Sequence, residues 1–249
     1  MAFSSPTLWS RRGMLAIALA GLGVAPSRRA RAGALRFDPI FLELPFGQKA
    51  SVLRIANDDP APSVLQMRLF SWTQQGDTDS LNPTPDLVVS PPIATLAPTS
   101  QQIVRLFLRR PAGESERYYR LLVEQLPPPP SGRAGIAVAI NASLPVIIDT
   151  ADRGSAGLEW QSEGIAGNLL VLRARNPGTR YLRINWLAAV LPDGRRLRGQ
   201  PVAENPYLLP GAERHWHLPL PRGLATHGPV QLLARTSSGM KTTELASLL

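Results

Sequence analysis

The chain has 249 residues, with 27 basic against 18 acidic side chains, a net charge of +9, 25 prolines, 44% hydrophobic residues and no cysteine. The lack of cysteine excludes disulfide scaffolds, CxxC redox sites, cysteine nucleophiles and thiolate zinc sites. The hydrophobic content is ordinary for a packed core, and so many prolines favour short strands and turns over long helices.

The first 32 residues have the composition of an export signal. They contain five arginines and no acidic residue, so the remaining chain has 22 basic against 18 acidic side chains, a net charge of +4. Ser10-Arg11-Arg12 is the basic region, Met14 to Ala25 is a short apolar run, and Ala30-Arg31-Ala32 predicts cleavage before Gly33. The apolar run is shorter than the roughly 20 residues that span a bilayer, although a retained anchor is the alternative. The arginine pair resembles a twin-arginine signal, and both that route and the general export route stay open.

The first half of the remaining chain alternates apolar and polar residues in short runs, which predicts strands. The candidates are Ser51–Asn57, Ser63–Trp72, Asp86–Ser90, Gln102–Leu108, Tyr118–Leu126 and Gly135–Ile148. The polar segment Gln74–Pro85 is predicted to be a loop, with Asp77 and Asp79 in a solvated turn. The four prolines at 127–130 predict an extended, exposed loop.

The second half begins after a polar linker at residues 150–155. Its strand candidates are Asn168–Asn176, Tyr181–Val190, Pro206–Leu209, His215–Leu220, Pro229–Arg235 and Thr242–Leu248. Pro192-Asp193-Gly194 is a hairpin turn, and Thr243–Leu249 as a short helix is an alternative to its last strand. Short, evenly spaced strands in each half predict an all-β chain of two immunoglobulin-like β-sandwich domains in tandem, at residues 33–149 and 156–249.

An ordered series of short motifs resembles the PapD-like periplasmic pilus-assembly chaperones, and more closely their Csu-type (archaic) branch. In the first domain the matching segments are Asn57-Asp58-Asp59, Trp72 to Gly76, Val89 to Pro92, Leu96-Ala97-Pro98, Gln102 to Leu106 and Glu116 to Pro127. In the second they are Asn176-Pro177-Gly178, Tyr207 to Gly211 and Trp216. The resemblance implies two sandwiches set at an angle, a periplasmic location and a non-enzymatic chaperone without cofactor. It also implies that the chain binds pilin-like fimbrial subunits and delivers them to an outer-membrane usher.

The resemblance further implies that one strand of the first domain is lent to the subunit. Donor-strand complementation needs apolar side chains on one face of an edge strand, and Ile136, Val138 and Ile140 alternate with small or polar residues. These three residues and Leu144 are the predicted subunit-binding residues, on a donor strand from Gly135 to Leu144. The alternative is an ordinary strand that fills its own core.

The family's usual anchor for the subunit carboxylate does not carry over to this chain. Its first-strand arginine falls on Ile40 or Phe41, and its last-strand lysine falls on Pro145. Arg120, in the strand expected beside the donor, is the first candidate to replace them, and Arg105 is the second; for either, a solvated surface arginine is the alternative. An inter-domain ion pair of the family is also in question, since Glu116 matches but its arginine partner falls on Asp149.

Other classes of function have little support in the sequence. HExxH, GxSxG and phosphate-binding glycine motifs are all missing, and His215-Trp216-His217 lacks the carboxylate motif expected of a metal site. Nucleic-acid binding is not expected, since the arginines of the export signal supply five of the nine net charges. No second apolar run of membrane length follows, so a membrane span in the mature chain is not expected, and neither is a small-molecule substrate. An exported two-domain immunoglobulin-like adhesin or pilus subunit is the main alternative, and a carbohydrate-binding or hydrolytic sandwich is weaker.

Overall fold

Strands make up the regular structure of the part of the chain that the computed structural model describes, residues 35–127, 139–152, 154–202, 205–221 and 228–245. These residues contain no helix, so none of them belongs to a helix able to cross a bilayer. The predicted export signal at residues 1–32 lies outside the described residues.

The first ten strands form two sheets that pack face to face. They are β1 (Leu35–Asp38), β2 (Leu42–Leu44), β3 (Ala50–Asn57), β4 (Ser63–Gln75), β5 (Thr78–Pro83), β6 (Leu87–Ser90), β7 (Ile93–Leu96), β8 (Ser100–Leu108), β9 (Arg117–Leu126) and β10 (Asn141–Ile148). One sheet has the order β1-β3-β8-β6, and the other β2-β10-β9-β4-β5 with β7 also paired to β4.

The remaining eight strands form a second pair of sheets. They are β11 (Glu159–Ala166), β12 (Leu169–Arg175), β13 (Leu182–Val190), β14 (Gln200–Pro201), β15 (Tyr207–Leu208), β16 (Glu213–Pro219), β17 (Val230–Thr236) and β18 (Gly239–Leu245). One sheet has the order β11-β12-β16, and the other β14-β13-β17-β18 with β15 also paired to β13. The predicted all-β architecture of two sandwiches is confirmed, while the exact domain boundaries stay predictions.

Each sandwich has its own apolar core, built from strands whose side chains alternate between core and surface. In the first sandwich Leu121 and Val123 of β9 are fully buried opposite residues of β10. The second core contains one residue from the first sandwich, Trp72 of β4, which is 2% exposed and packs edge to face on Tyr207 at 5.5 Å. The two sandwiches therefore share apolar packing.

Two buried asparagines account for two of the matching sequence motifs. At the end of β3, Asn57 donates its side-chain amide to the carbonyl of Ala61, at 2.8 Å. After β12, Asn176 donates to the carbonyls of Arg180 and Leu208, at 2.8 and 3.1 Å, and accepts from the backbone of Gly178. Each asparagine replaces missing ladder hydrogen bonds where a strand becomes a turn.

The predicted loop at Gln74–Pro85 is wrong over most of its length. β4 continues to Gln75 and returns as β5 through a two-residue turn of Gly76 and Asp77, in which Gly76 adopts a φ of 55°. Polar residues and a proline concealed this hairpin because its strand β5 is an edge strand, where proline and exposed polar side chains are tolerated. β11 was also missed in the sequence.

Candidate functional site

One edge of β10 is unpaired over its first five residues. β10 pairs antiparallel with β9 along its whole length, but its parallel pairing with β2 covers only Val146 to Ile148. Within the described residues, the other side of Asn141 to Pro145 therefore makes no ladder contact. An exposed strand edge of this kind is a template for pairing with another chain.

The predicted donor strand overlaps only partly with this edge. β10 begins at Asn141, while Gly135, Ile136 and Val138 lie outside the described residues. Ile140 is half-buried, and its carbonyl accepts from the backbone of Gln125 at 2.9 Å. The side chain of Gln125 accepts from the Ile140 backbone at 3.2 Å, so Ile140 is tied to β9 immediately before β10 begins.

Leu144 is the one predicted subunit-binding residue that the described structure buries within its own domain. It lies opposite Leu121 in the β9–β10 ladder, is 6% exposed and belongs to the core of the first sandwich. Its side chain is already buried in its own domain, so we correct its predicted role to that of a core residue. The donor prediction is thereby restricted to Ile136, Val138 and Ile140.

Arg120 lies on the face of the β4–β9–β10 sheet that is directed towards the second sandwich. It is opposite Pro145 in the β9–β10 ladder, which is where the family's last-strand lysine would fall. Its guanidinium carbon is 3.8 Å from the ring centre of Trp72 and 5.3 Å from that of Tyr207, and the residue is 9% exposed. Burial lowers the pKa of Arg120, and the nearby charge of Asp79 acts in the opposite direction. The alternative of a solvated surface arginine is therefore wrong for Arg120.

Arg105 occupies a different surface. It belongs to β8 in the other sheet, where its neighbours Val104 and Leu106 point into the core and Arg105 points out to solvent. It lies opposite Val52 on the outer face of that sheet, so the structure does not bring Arg105 and Arg120 together. Arg105 is therefore a solvated surface arginine, which was the alternative to its anchor role.

The family's first-strand arginine position is surrounded by aromatic rings in this chain. Ile40 is 68% exposed, whereas Phe41 packs at 5.9 Å from Tyr181 and 6.4 Å from Tyr207. Tyr118 of β9 meets Tyr181 at 6.3 Å. The region beside Arg120 is therefore lined by aromatic side chains from both sandwiches.

An ion cluster joins the sandwiches around Arg180, which follows β12. Arg180 contacts Glu116 at 2.9 Å, Glu43 at 2.7 Å and Asp149 at 3.8 Å. Burial raises the pKa of Glu116 despite hydrogen bonds from Tyr118 and the Tyr181 backbone. The inter-domain ion pair in question is thus present, with its cation on Arg180 instead of at position 149.

The turn between β4 and β5 makes a second polar connection between the sandwiches. Asp79 accepts from Asn205 at 2.5 Å and from Arg214 at 2.9 Å. Asp77 accepts from the backbone of His215 at 2.7 Å and lies 2.8 Å from its ring Nδ1. The interpretation as a solvated turn is therefore wrong for Asp79, which lies in β5 and is 22% exposed, whereas Asp77 does lie in the turn with its side chain 58% exposed.

Alternation along β16 separates the side chains of the HWH motif. Trp216 is buried in the second core, whereas His215 lies between Asp77 and Glu163, whose Oε2 is 3.1 Å from Nε2. The hydrogen bond to Asp77 and the charges of Asp77 and Glu163 raise the pKa of His215. Among the described residues, no group of three or more histidine and carboxylate side chains has a metal-binding arrangement.

The long-range partners could not be found from one sequence. Asp79 and Arg214 are 135 residues apart, and Arg180 and Glu43 are 137 apart. No spacing rule connects such positions, because the fold alone brings them together.

The first domain matches a known protein family. Residues 34–150 match the family described as pili and flagellar-assembly chaperone, PapD N-terminal domain. Relatives in Escherichia coli named probable fimbrial chaperone EcpB are 29% identical over 154 residues, which covers 60% of this chain. The match covers 64% of the relatives, so the chain spans less than two thirds of their length.

Solved structures share the fold over most of the chain. A chain in the CsuC–CsuE chaperone–tip adhesion subunit complex, from archaic Csu pili of Acinetobacter baumannii, has a TM-score of 0.61 and 19% identity, over 85% of this chain and 98% of that one. The E. coli chaperone DraB has a TM-score of 0.54 and 22% identity, over 88% and 98%. The chain therefore shares the fold of these structures, and its match to the family described as pili and flagellar-assembly chaperone, PapD N-terminal domain, covers just under half of the chain.

Proposed function

We propose that the chain is a chaperone that binds pilin-like subunits by donating a strand at the β10 edge. The observation that carries this proposal is the unpaired edge from Asn141 to Pro145. An incomplete sandwich exposes apolar core and unpaired backbone groups, and an added strand satisfies both, because main-chain hydrogen bonds need no particular sequence. The relatives named as probable fimbrial chaperones support this role.

The apolar side chains proposed to fill the groove of the subunit precede this edge in the sequence. Side chains two residues apart in a strand share a face, so Ile136, Val138 and Ile140 are in phase with Ala142 and Leu144, which face the core of the first sandwich. If the strand continues upstream of Asn141, these three side chains extend the chaperone's own core row beyond its domain. They then lie where a subunit groove would cover them.

Arg120 is the proposed anchor of the subunit carboxylate. Within the described residues its side chain makes no hydrogen bond, and its nearest acidic atom, Oδ2 of Asp79, is 3.8 Å away. A buried guanidinium with uncommitted N–H groups is suited to a carboxylate, which it binds through short charge-assisted hydrogen bonds. Its place opposite Pro145 puts it at the end of the open edge.

We also propose that the chain acts in the periplasm after export, without enzymatic activity or cofactor, and passes its subunits to an outer-membrane usher. Two of the solved structures with this fold are complexes of a chaperone with a tip adhesion subunit and with a pilin. They support the subunit partner, and the usher follows from the resemblance to the family.

The test is co-expression with a pilin-like subunit encoded beside this chain. Replacing Ile136, Val138 and Ile140 together by Asp is expected to abolish the periplasmic yield of the subunit. The matched control, Ala137→Asp with Ala139→Asp, adds charge to the opposite face of the same segment and is expected to keep most of the yield. If the triple variant folds and protects the subunit as well as the wild type does, the donor proposal is wrong and the adhesin or pilus-subunit alternative gains.

A further inference from the structure

Asp79 lies beside Arg120 but accepts no hydrogen bond from the N–H groups of Arg120. The distance from Oδ2 of Asp79 to Nη2 of Arg120 is 3.8 Å, longer than a hydrogen bond. The oxygens of Asp79 instead accept from Asn205 at 2.5 Å, Arg214 at 2.9 Å and Gln74 at 3.2 Å. Asp79 is thus held by three donors, two of which belong to the second sandwich.

This arrangement solves a problem posed by burying an arginine. A charge removed from water is costly unless an opposite charge is near, and Arg120 is 9% exposed. Asp79 supplies that charge, and the ring of Trp72 at 3.8 Å supplies a stacking surface. Neither contact consumes an N–H group of Arg120, so its five donors remain for another acceptor.

We propose that Asp79 is a positioning residue for subunit binding, which keeps Arg120 ordered and charged in the free chaperone without occupying its N–H groups. Asn205, Arg214 and Gln74 keep the Asp79 carboxylate at ion-pair distance from Arg120. This inference rests on the proposed anchor role of Arg120. Because Asn205 and Arg214 belong to the second sandwich, the position of Arg120 then depends on both sandwiches.

Acetate is the probe for this site, because it carries only the carboxylate of a chain terminus. In the full-length mature protein, the side-chain Nε–Hε resonance of Arg120, assigned by its loss in Arg120→Gln, is followed during titration with sodium acetate and, in parallel, sodium chloride. Asp79→Asn is expected to increase the mobility of the Arg120 side chain and to weaken acetate binding by about tenfold, the scale of one charge-assisted interaction. Asp79→Glu is expected to restore part of both. Asp193→Asn, at an exposed turn where Asp193 pairs with Arg195, is the control.

Asn205→Gly separates positioning from simple charge compensation. Asn205 has a φ of 37°, which glycine accepts, so the variant removes the side-chain donor with little backbone strain. Asp79 is then free to hydrogen-bond Arg120, so we expect acetate to bind more weakly while Arg120 stays ordered. This variant also decides the matter if Asp79→Asn does not fold.

The outcomes distinguish this inference from the proposed function. If acetate shifts Arg120 in the wild type, and Asp79→Asn and Asn205→Gly bind it equally well, Asp79 has no positioning role and only the inference is overturned. If acetate affects the wild type no more than chloride does, the anchor role of Arg120 is overturned as well. The donor-strand test remains independent of both results.

Discussion

Removing the cation from the inter-domain ion cluster should destabilise the protein strongly. The side chains of Glu116 and Asp149 are 4% and 3% exposed, and Arg180 lies within 3.8 Å of both. Arg180→Ala leaves their charges without this cation. Removing one partner of a buried pair costs about 3–5 kcal/mol, and we expect about 3 kcal/mol because Arg180 itself is 24% exposed. For a chain of this size the melting temperature should fall by roughly 6–12 °C.

The loss should also depend on pH in a defined direction. Burial raises the pKa of Glu116, and the charge of Arg180 opposes that rise, so the pKa rises further in Arg180→Ala. The folded variant then binds a proton that the unfolded chain releases, and its stability falls as the pH rises above the ordinary range of a glutamate. The deficit relative to wild type should therefore be larger at about pH 7.5 than at about pH 5.

Thermal and urea unfolding followed by circular dichroism would measure both effects. Arg36→Ala removes an exposed pair, with side chains 63% and 42% exposed, and should cost less than about 1 kcal/mol at either pH. The double variant Arg180→Ala with Glu116→Gln should recover part of the loss, because it removes the buried charge of Glu116 that Arg180 neutralised. A deficit no larger than that of Arg36→Ala, or one that does not change with pH, would refute the reasoning.

Two further predictions concern the second sandwich. The hydrogen bond to Asp77 raises the pKa of His215, so the contribution of His215 to stability is present below the usual histidine pKa and is lost as the pH rises through the folded value. His215→Gln should flatten this pH dependence by about 1 kcal/mol or less in melting curves across neutral pH, and an unchanged profile would contradict the contact. Asn176→Ala removes the side-chain donor to the carbonyls of Arg180 and Leu208 and should cost about 2–3 kcal/mol in urea unfolding. A loss as small as that of Asn168→Ala, at an exposed turn, would count against this role.

The fold could be predicted from local patterns, whereas the connections between the sandwiches could not. Alternation identifies β9 and β12 correctly because one face of each strand is buried and the other is not. It failed at β5, whose side chains are largely exposed and carry no alternation. Strand register also determines whether a single side chain is buried in its own domain. Leu144 has the residue type of a donor position but lies opposite Leu121 in the core of the first sandwich.

The candidate site was predicted only where local strand order was sufficient. Arg120 was selected because it lies in the strand beside the donor, which is a local inference from strand order. Its contacts with Asp79 and Tyr207 depend on how a distant hairpin packs on the second sandwich. Arg180 was missed altogether, since nothing near it in the sequence indicates that three carboxylates converge on it.

Trp72 has a consequence for how the protein can be divided. Its indole belongs by chain position to the first sandwich and by packing to the core of the second. A fragment that begins after β10 would lack the side chain that fills this space, and a fragment that ends there would expose a large aromatic ring to water. Each half would therefore lose apolar packing on separation, so the two sandwiches are expected to gain and lose their structure together.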